Sequence, residues 1–267
     1  MSTSETFQLS LDAAEAYESQ FVPALFREWA GFLVEHAGVR PGQRVLDVAC
    51  GTGIVARTAA DLTGEPDAVT GLDLNDAMLT VARRLRPDIG WQQADAAELP
   101  FPDDSFDVVL CQSGLMFFPD VPKALSEMAR VVVLGGGTVA VQVWDRRESQ
   151  PAYAPFIEVA AAHSGPEALD LLSTYFNRGD LEELKTALTS VGLEVSGTRT
   201  ETTTLRFPSV DAFVMTEVNS TPLAERLSDD VLRTIVEDSR EALRSFGVEG
   251  GGVELPIRGH LVTARKG

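Results

Sequence analysis

Val45-Leu46-Asp47-Val48-Ala49-Cys50-Gly51-Thr52-Gly53, running on into Ile54 to Leu62, is the stretch on which the reading of this chain turns. Arg44 to Ala49 is short, apolar and rich in β-branched residues, and predicts a strand. A turn with two glycines stands directly behind it, and helix-compatible residues follow. Glycines at such a turn let backbone approach a ligand without Cβ interference and leave the helix N-terminal amides free. The turn alone admits two readings. Gly51-Thr52-Gly53-Ile54-Val55-Ala56 also satisfies the dinucleotide pattern G-x-G-x-x-G/A, and Asp73 lies about 20 residues further on, as that pattern requires.

The same alternation repeats outward. Strands are predicted at Ala68 to Leu74, Ile89 to Gln93, Phe106 to Gln112 and Gly137 to Trp144, with helices at Asp76 to Leu85 and Val121 to Val132 between them. Upstream, Phe21, Leu25, Trp29, Phe32 and Leu33 form the stripe of an amphipathic helix ended by Gly38. Downstream, Asp180 to Val191 reads as a capped helix, and Leu193 to Leu205 and Val253 to Ala264 as two last strands around a helical excursion. The expected fold is a Rossmann-like α/β, doubly wound, mainly parallel seven-stranded sheet with an antiparallel edge strand. It forms a single domain over residues 1–267, with helical insertions at about 145–178 and 208–252 and an N-terminal helix at about 12–37.

Composition excludes several classes. In 267 residues, 44% are hydrophobic and 23% charged, as in an ordinary globular protein and unlike a disordered, collagenous or coiled-coil chain. The formal net charge of −18 repels phosphate backbones and anionic membrane surfaces, so neither nucleic acid nor membrane is an expected partner. Cys50 and Cys111 stand in no paired ligand spacing, which indicates neither disulfide nor zinc. The polar start, Met1 to Ser10, lacks a signal-peptide pattern and no run is long enough to span a bilayer, so the expected location is the cytoplasm.

The acids separate the two readings of the glycine turn. Asp47 precedes the glycines inside the strand end, where it favours a cationic ligand and is unhelpful beside a pyrophosphate. Asp95, after the third strand, suits an adenine amino group. With these residues the sequence resembles the class I S-adenosylmethionine-dependent methyltransferases, most closely the small-molecule branch of ubiquinone and menaquinone biosynthesis. Val45 to Gly53 resembles the first motif of that family, Gly71-Leu72-Asp73-Leu74-Asn75 the second, and Ala94-Asp95-Ala96 with Leu99-Pro100-Phe101 the third. Glu127 to Val131 and Gly135-Gly136-Gly137 resemble its later helix and glycine turn. Ala49 stands where many members have glycine, and Gly135 where proline is common.

The resemblance implies S-adenosyl-L-methionine as cofactor and methyl transfer to an apolar small molecule, with carbon, oxygen and nitrogen acceptors all open. Asp73 would accept both ribose hydroxyls, Asp95 and the Ala96 backbone would hold adenine, and Leu74 and Met78 would pack on its faces. Ala49, Gly51 and Gly53 would line the methionine moiety beside Asp47, and Gln112 and Ser113 would sit by the sulfonium. Tyr17, Met116 and Phe117 are candidates for the substrate pocket. Phe207, Phe213, Val214 and Met215 are candidates for its roof. His163 is the one candidate base, in the first insertion; His36, His260, Trp29 and both cysteines read as structural. An adenosyl-binding sensor, a cyclase built on the same shell and, further off, an NAD-dependent oxidoreductase are the alternatives.

Overall fold

β1 (Val45–Val48), β4 (Val108–Gln112) and β5 (Thr138–Trp144) are buried almost throughout, as strands covered on both faces must be. The computed structural model describes residues 9–219, 221, 223 and 226–267. Most of the Met1 to Ser10 stretch lies outside the described residues, as do four positions of the second expected insertion.

With β2 (Val69–Asp73), β3 (Gly90–Gln93), β6 (Leu193–Phe207) and β7 (Val253–Lys266), the strands form one seven-stranded sheet in the order β3-β2-β1-β4-β5-β7-β6. From β3 to β5 every pair is parallel; Val45 lies between Val69 and Val108. β7 is the antiparallel strand. Lys266 pairs with Gly137 at the start of β5, while Arg258 receives the amide of Asp145 just past its end. It lies one place in from the β6 edge. The winding reverses between β1 and β4, which opens a crevice at their carboxyl ends, the position where open α/β sheets hold ligands.

The helical stretch expected at 12–37 is helical in three segments: α1 (Leu11–Ala16), a π-helix (Tyr17–Phe26) and α2 (Arg27–Ala37), which Gly38 closes at φ 68°. α3 (Ile54–Thr63) follows β1. α4 (Asp76–Leu85) follows β2, with Asn75 accepting from the amides of Ala77 and Met78 as its N-cap. α5 (Val121–Val131) precedes β5. In α5, Leu125 and Met128 pack with Leu46, Val109 and Val141 of the sheet in one apolar core.

The chain divides into two compact units. The first comprises residues 1–143, 180–200 and 260–267, and the second 144–179 and 201–259. In the second, α6 (Tyr153–Ser164), α7 (Pro166–Ser173), α9 (Val210–Asn219) and α10 (Asp229–Ala242) surround their own apolar interior. Phe213 is its centre, with Tyr153, Phe156 and Phe207 at ring-centroid distances of 5.4, 5.0 and 5.4 Å. α8 (Leu181–Ser190) belongs to the first unit, capped by Asp180. No described helix is long and apolar enough to cross a membrane.

Candidate functional site

The glycine turn is built by three left-handed residues in five. Ala49, Gly51 and Gly53 have φ of 56°, 55° and 87°. For alanine this conformation costs about 1–2 kcal/mol. The two glycines serve different ends. A Cβ on Gly51 would stand in ordinary contact with the Tyr17 ring and hydroxyl, at 3.8 Å, so it would meet no clash there. A Cβ on Gly53 would fall 2.2 Å from the Trp91 indole, which also lies over Gly71. The bare face of Gly53 is therefore taken by Trp91 of β3, and Gly53 contributes its φ rather than open access.

Three acidic residues stand at or behind the strand ends, on β1, β2 and the loop behind β3, and one of them, Asp73, bonds the turn itself. Asp47 is buried, its Oδ2 accepting from the Ala56 amide at 2.9 Å, which ties the strand to the first turns of α3. Its Oδ1 is buried with no partner among the described residues. Desolvation pushes the carboxyl up to about 8, against the pull of the Ala56 hydrogen bond and with added repulsion from Asp73, so it is protonated at neutral pH. Asp73 accepts from the Gly51 amide and the Asn75 amide, both at 2.8 Å. Burial raises its pKa as well, opposed by those bonds. Asp95 is exposed, and its Oδ1 accepts from the Ala97 amide at 2.8 Å.

The other expected contacts fall around this centre. Leu74 is 44% exposed, an unusual position for a leucine beside so many buried neighbours. Met78 is buried against Ala14, Val81 and Tyr17, and Ala96 is buried in the sheet's core. Gln112, at the end of β4, donates to the Phe26 carbonyl at 3.2 Å and leaves its buried Oε1 unpartnered. Ser113, with φ 51°, donates from Oγ to Gln142 at 2.6 Å. Met116 is buried and Phe117 half-buried. The loop Leu99 to Phe101 is pinned from α5: Glu127 accepts from the Leu99 amide, and Arg130 donates to the Leu99 and Phe101 carbonyls.

His163 lies in the second unit, and its Nε2 is 2.7 Å from Asp238 on α10. Both thiols are held protonated, chiefly by burial. Four residues around the strand ends had no contact assigned to them by the sequence. Glu18 binds Thr52 and Arg57, Trp91 fills the space over Gly53 and Gly71, Gln142 accepts from Ser113, and Asn75 donates to the Leu9 carbonyl. Only Asn75 carried a local signal, as a capping residue directly after Asp73.

A sheet of this order, with its antiparallel seventh strand and a glycine turn flanked by strand-end acids, is the Rossmann-like architecture of the class I methyltransferases, and residues 46–140 match the family model described as a methyltransferase domain. The chain is 42% identical over 130 residues to the demethylmenaquinone methyltransferase of Renibacterium salmoninarum, covering 49% of this chain and 52% of that one. It is 39% identical over 135 residues to the ubiquinone/menaquinone biosynthesis C-methyltransferase UbiE of Psychromonas ingrahamii, covering 48% and 52%. The chain thus spans about half the length of the curated relatives it matches. The YcgJ protein of Bacillus subtilis shares the fold, with TM-score 0.62 and 22% identity over 90% of this chain and 98% of that one. The resemblance read from the motifs stands, and it points to the quinone-biosynthesis branch.

Proposed function

We propose that this chain transfers a methyl group from S-adenosylmethionine to an apolar small-molecule acceptor of the quinol type. The observation that carries the reading is the set of acceptor groups around the glycine turn. The carboxyl groups of Asp73 and the exposed Asp95, with the unpartnered buried oxygens of Asp47 and Gln112, suit a ligand bearing hydroxyls and an amino group. A pyrophosphate would face the Asp73 and Asp95 acceptors with no matching donor.

Asp73 would hold the ribose hydroxyls, Asp95 and the Ala96 backbone the adenine, and exposed Leu74 and Met78 its two faces. Ala49 and Gly51 would line the methionine portion, Gly53 would set the turn's conformation, and Gln112 and Ser113 would face the sulfonium. When bound, the cofactor supplies a methyl group already activated on positive sulfur. The chain's share of the work is alignment and exclusion of water, and alignment alone can supply about 7–11 kcal/mol. A dedicated base is not required for that share, in keeping with His163 being held by Asp238.

Tyr17, Met116 and Phe117 are assigned to the acceptor. The names of the quinone-biosynthesis relatives support a carbon acceptor on a reduced quinone ring. The test is incubation with methyl-labelled cofactor and a panel of demethylated quinols, phenols and terpenoid acceptors. Label in the organic extract supports the reading. Tight binding without turnover would turn it toward a sensor or a cyclase.

A further inference from the structure

The bonds that Glu18 makes have no place in the site as described so far. Its carboxylate takes three donors: Thr52 Oγ1 at 2.6 Å, and Arg57 Nη2 at 2.9 and 3.0 Å. Arg57 Nε reaches back to the Gly53 carbonyl at 3.3 Å. Thr52 and Gly53 are residues of the glycine turn, and the Gly51 amide of the same turn holds Asp73. One anion on the π-helix thus closes a ring through the turn and the start of α3. The Glu18 and Arg57 side chains are only 18% and 15% exposed, so solvent screens this pair far less than a surface ion pair.

Burial of Phe21, Val22 and Leu25 also holds the π-helix, and the described segment has other polar ties. Leu9 accepts from Asn75 at 3.2 Å, Phe26 from Gln112 at 3.2 Å, and Glu15 meets Arg84 at an exposed site. Tyr17, the neighbour of Glu18, is the nearest side chain to the bare face of Gly51. A π-helix of ten residues is an uncommon element that recurs at functional sites, and it has to be held by something outside itself.

We infer that Glu18 is a positioning residue, the latch that holds the π-helix on the glycine turn, and that breaking its bonds is the step that admits the adenosyl cofactor and releases its product. The inference rests on the function proposed above. All of the latch's bonds are internal to the chain, and none is made to a ligand. Their loss therefore speeds binding and release together and cancels in the affinity, since a group shifts a binding equilibrium only through differential interaction.

The test compares wild type with Glu18→Ala, Glu18→Gln and the exchanged pair Glu18→Arg with Arg57→Glu. Amide exchange over residues 17–26, on protein alone, is expected to rise about 30-fold in Glu18→Ala, equivalent to about 2 kcal/mol at 1.4 kcal/mol per tenfold. It should return toward wild type in the exchanged pair. Stopped-flow fluorescence with S-adenosylhomocysteine is expected to show association and dissociation rates both about 30-fold faster, with Kd within threefold. Glu18→Gln, which keeps an acceptor for Thr52, should fall between and guards against misfolding of the alanine variant. Unchanged amide exchange overturns the latch and leaves the proposed function intact. Faster dissociation with unchanged association overturns the gate, because a merely damaged site loses affinity. Wild type that does not bind S-adenosylhomocysteine overturns the function reading and the gate with it.

Discussion

Replacing Asp47 by asparagine should make the protein more stable at neutral pH and change how its stability depends on pH. Asparagine keeps the acceptor that binds the Ala56 amide and cannot ionise. Burial moves the folded carboxyl to about 8, against an ordinary 3.8. Between those values the folded state holds one proton that the unfolded state has lost, so stability falls as pH rises, by about 1.4 kcal/mol per unit. Above the folded value the loss is complete. At pH 7 wild type has lost about 4 kcal/mol through this group. Two amide N–H donors in place of the unpartnered Oδ1 return about 1–3 kcal/mol of that gain at every pH, since they too lack partners. The pH dependence isolates the titration from that constant. Denaturant unfolding of both proteins should show the gap between them widen by about 3 kcal/mol from pH 5 to pH 7 and level off above 8. A gap that stays constant would refute the argument that burial keeps Asp47 protonated.

Glu217 poses the same question in the second unit. Buried, with Tyr153 donating to it at 2.7 Å, it titrates at about 7 rather than 4.5, and Glu217→Gln should remove about 3 kcal/mol of stability loss developed over that window. Identical unfolding curves for the two proteins at pH 5 and pH 8 would count against it. Gly53→Ala drives a Cβ into the Trp91 indole and should lower stability by about 2–3 kcal/mol in a thermal melt; an unchanged melt would mean that Trp91 moves freely. Ala49→Gly relieves a φ of 56° and should raise the melting temperature by an amount equivalent to about 1 kcal/mol, whereas a lower one would show the strain to be absent. His163→Ala should leave turnover within twofold of wild type, and a tenfold loss would return His163 to the site.

The middle of the sheet was legible because β4 and β5 carry near-continuous apolar runs, and because Gly38, Asn75 and Asp180 mark helix ends by local chemistry. The turn was legible for the same reason: Gly51 and Gly53 occupy left-handed backbone. What local pattern does not encode is which distant side chain fills a given space. Nothing around Trp91 announces that its ring will cover Gly53 and Gly71, and nothing around Glu18 that it will reach Thr52 and Arg57 more than thirty residues away. His163 looked chemically capable, yet its role depended on Asp238, a partner 75 positions on. The insertions were visible as breaks in the strand–helix alternation. Their shared aromatic interior, joining Tyr153 and Phe156 to Phe207 and Phe213, was not, because it forms between two segments far apart in sequence.

Calorimetric titration of the purified protein with S-adenosylhomocysteine, repeated with Asp73→Ala and with NAD, probes the adenosyl-binding claim most directly. The account requires saturable binding to wild type, affinity weakened by roughly one to two orders of magnitude in the variant, and no heat from the dinucleotide. Binding of NAD in place of S-adenosylhomocysteine, or equal affinity for wild type and variant, would contradict it.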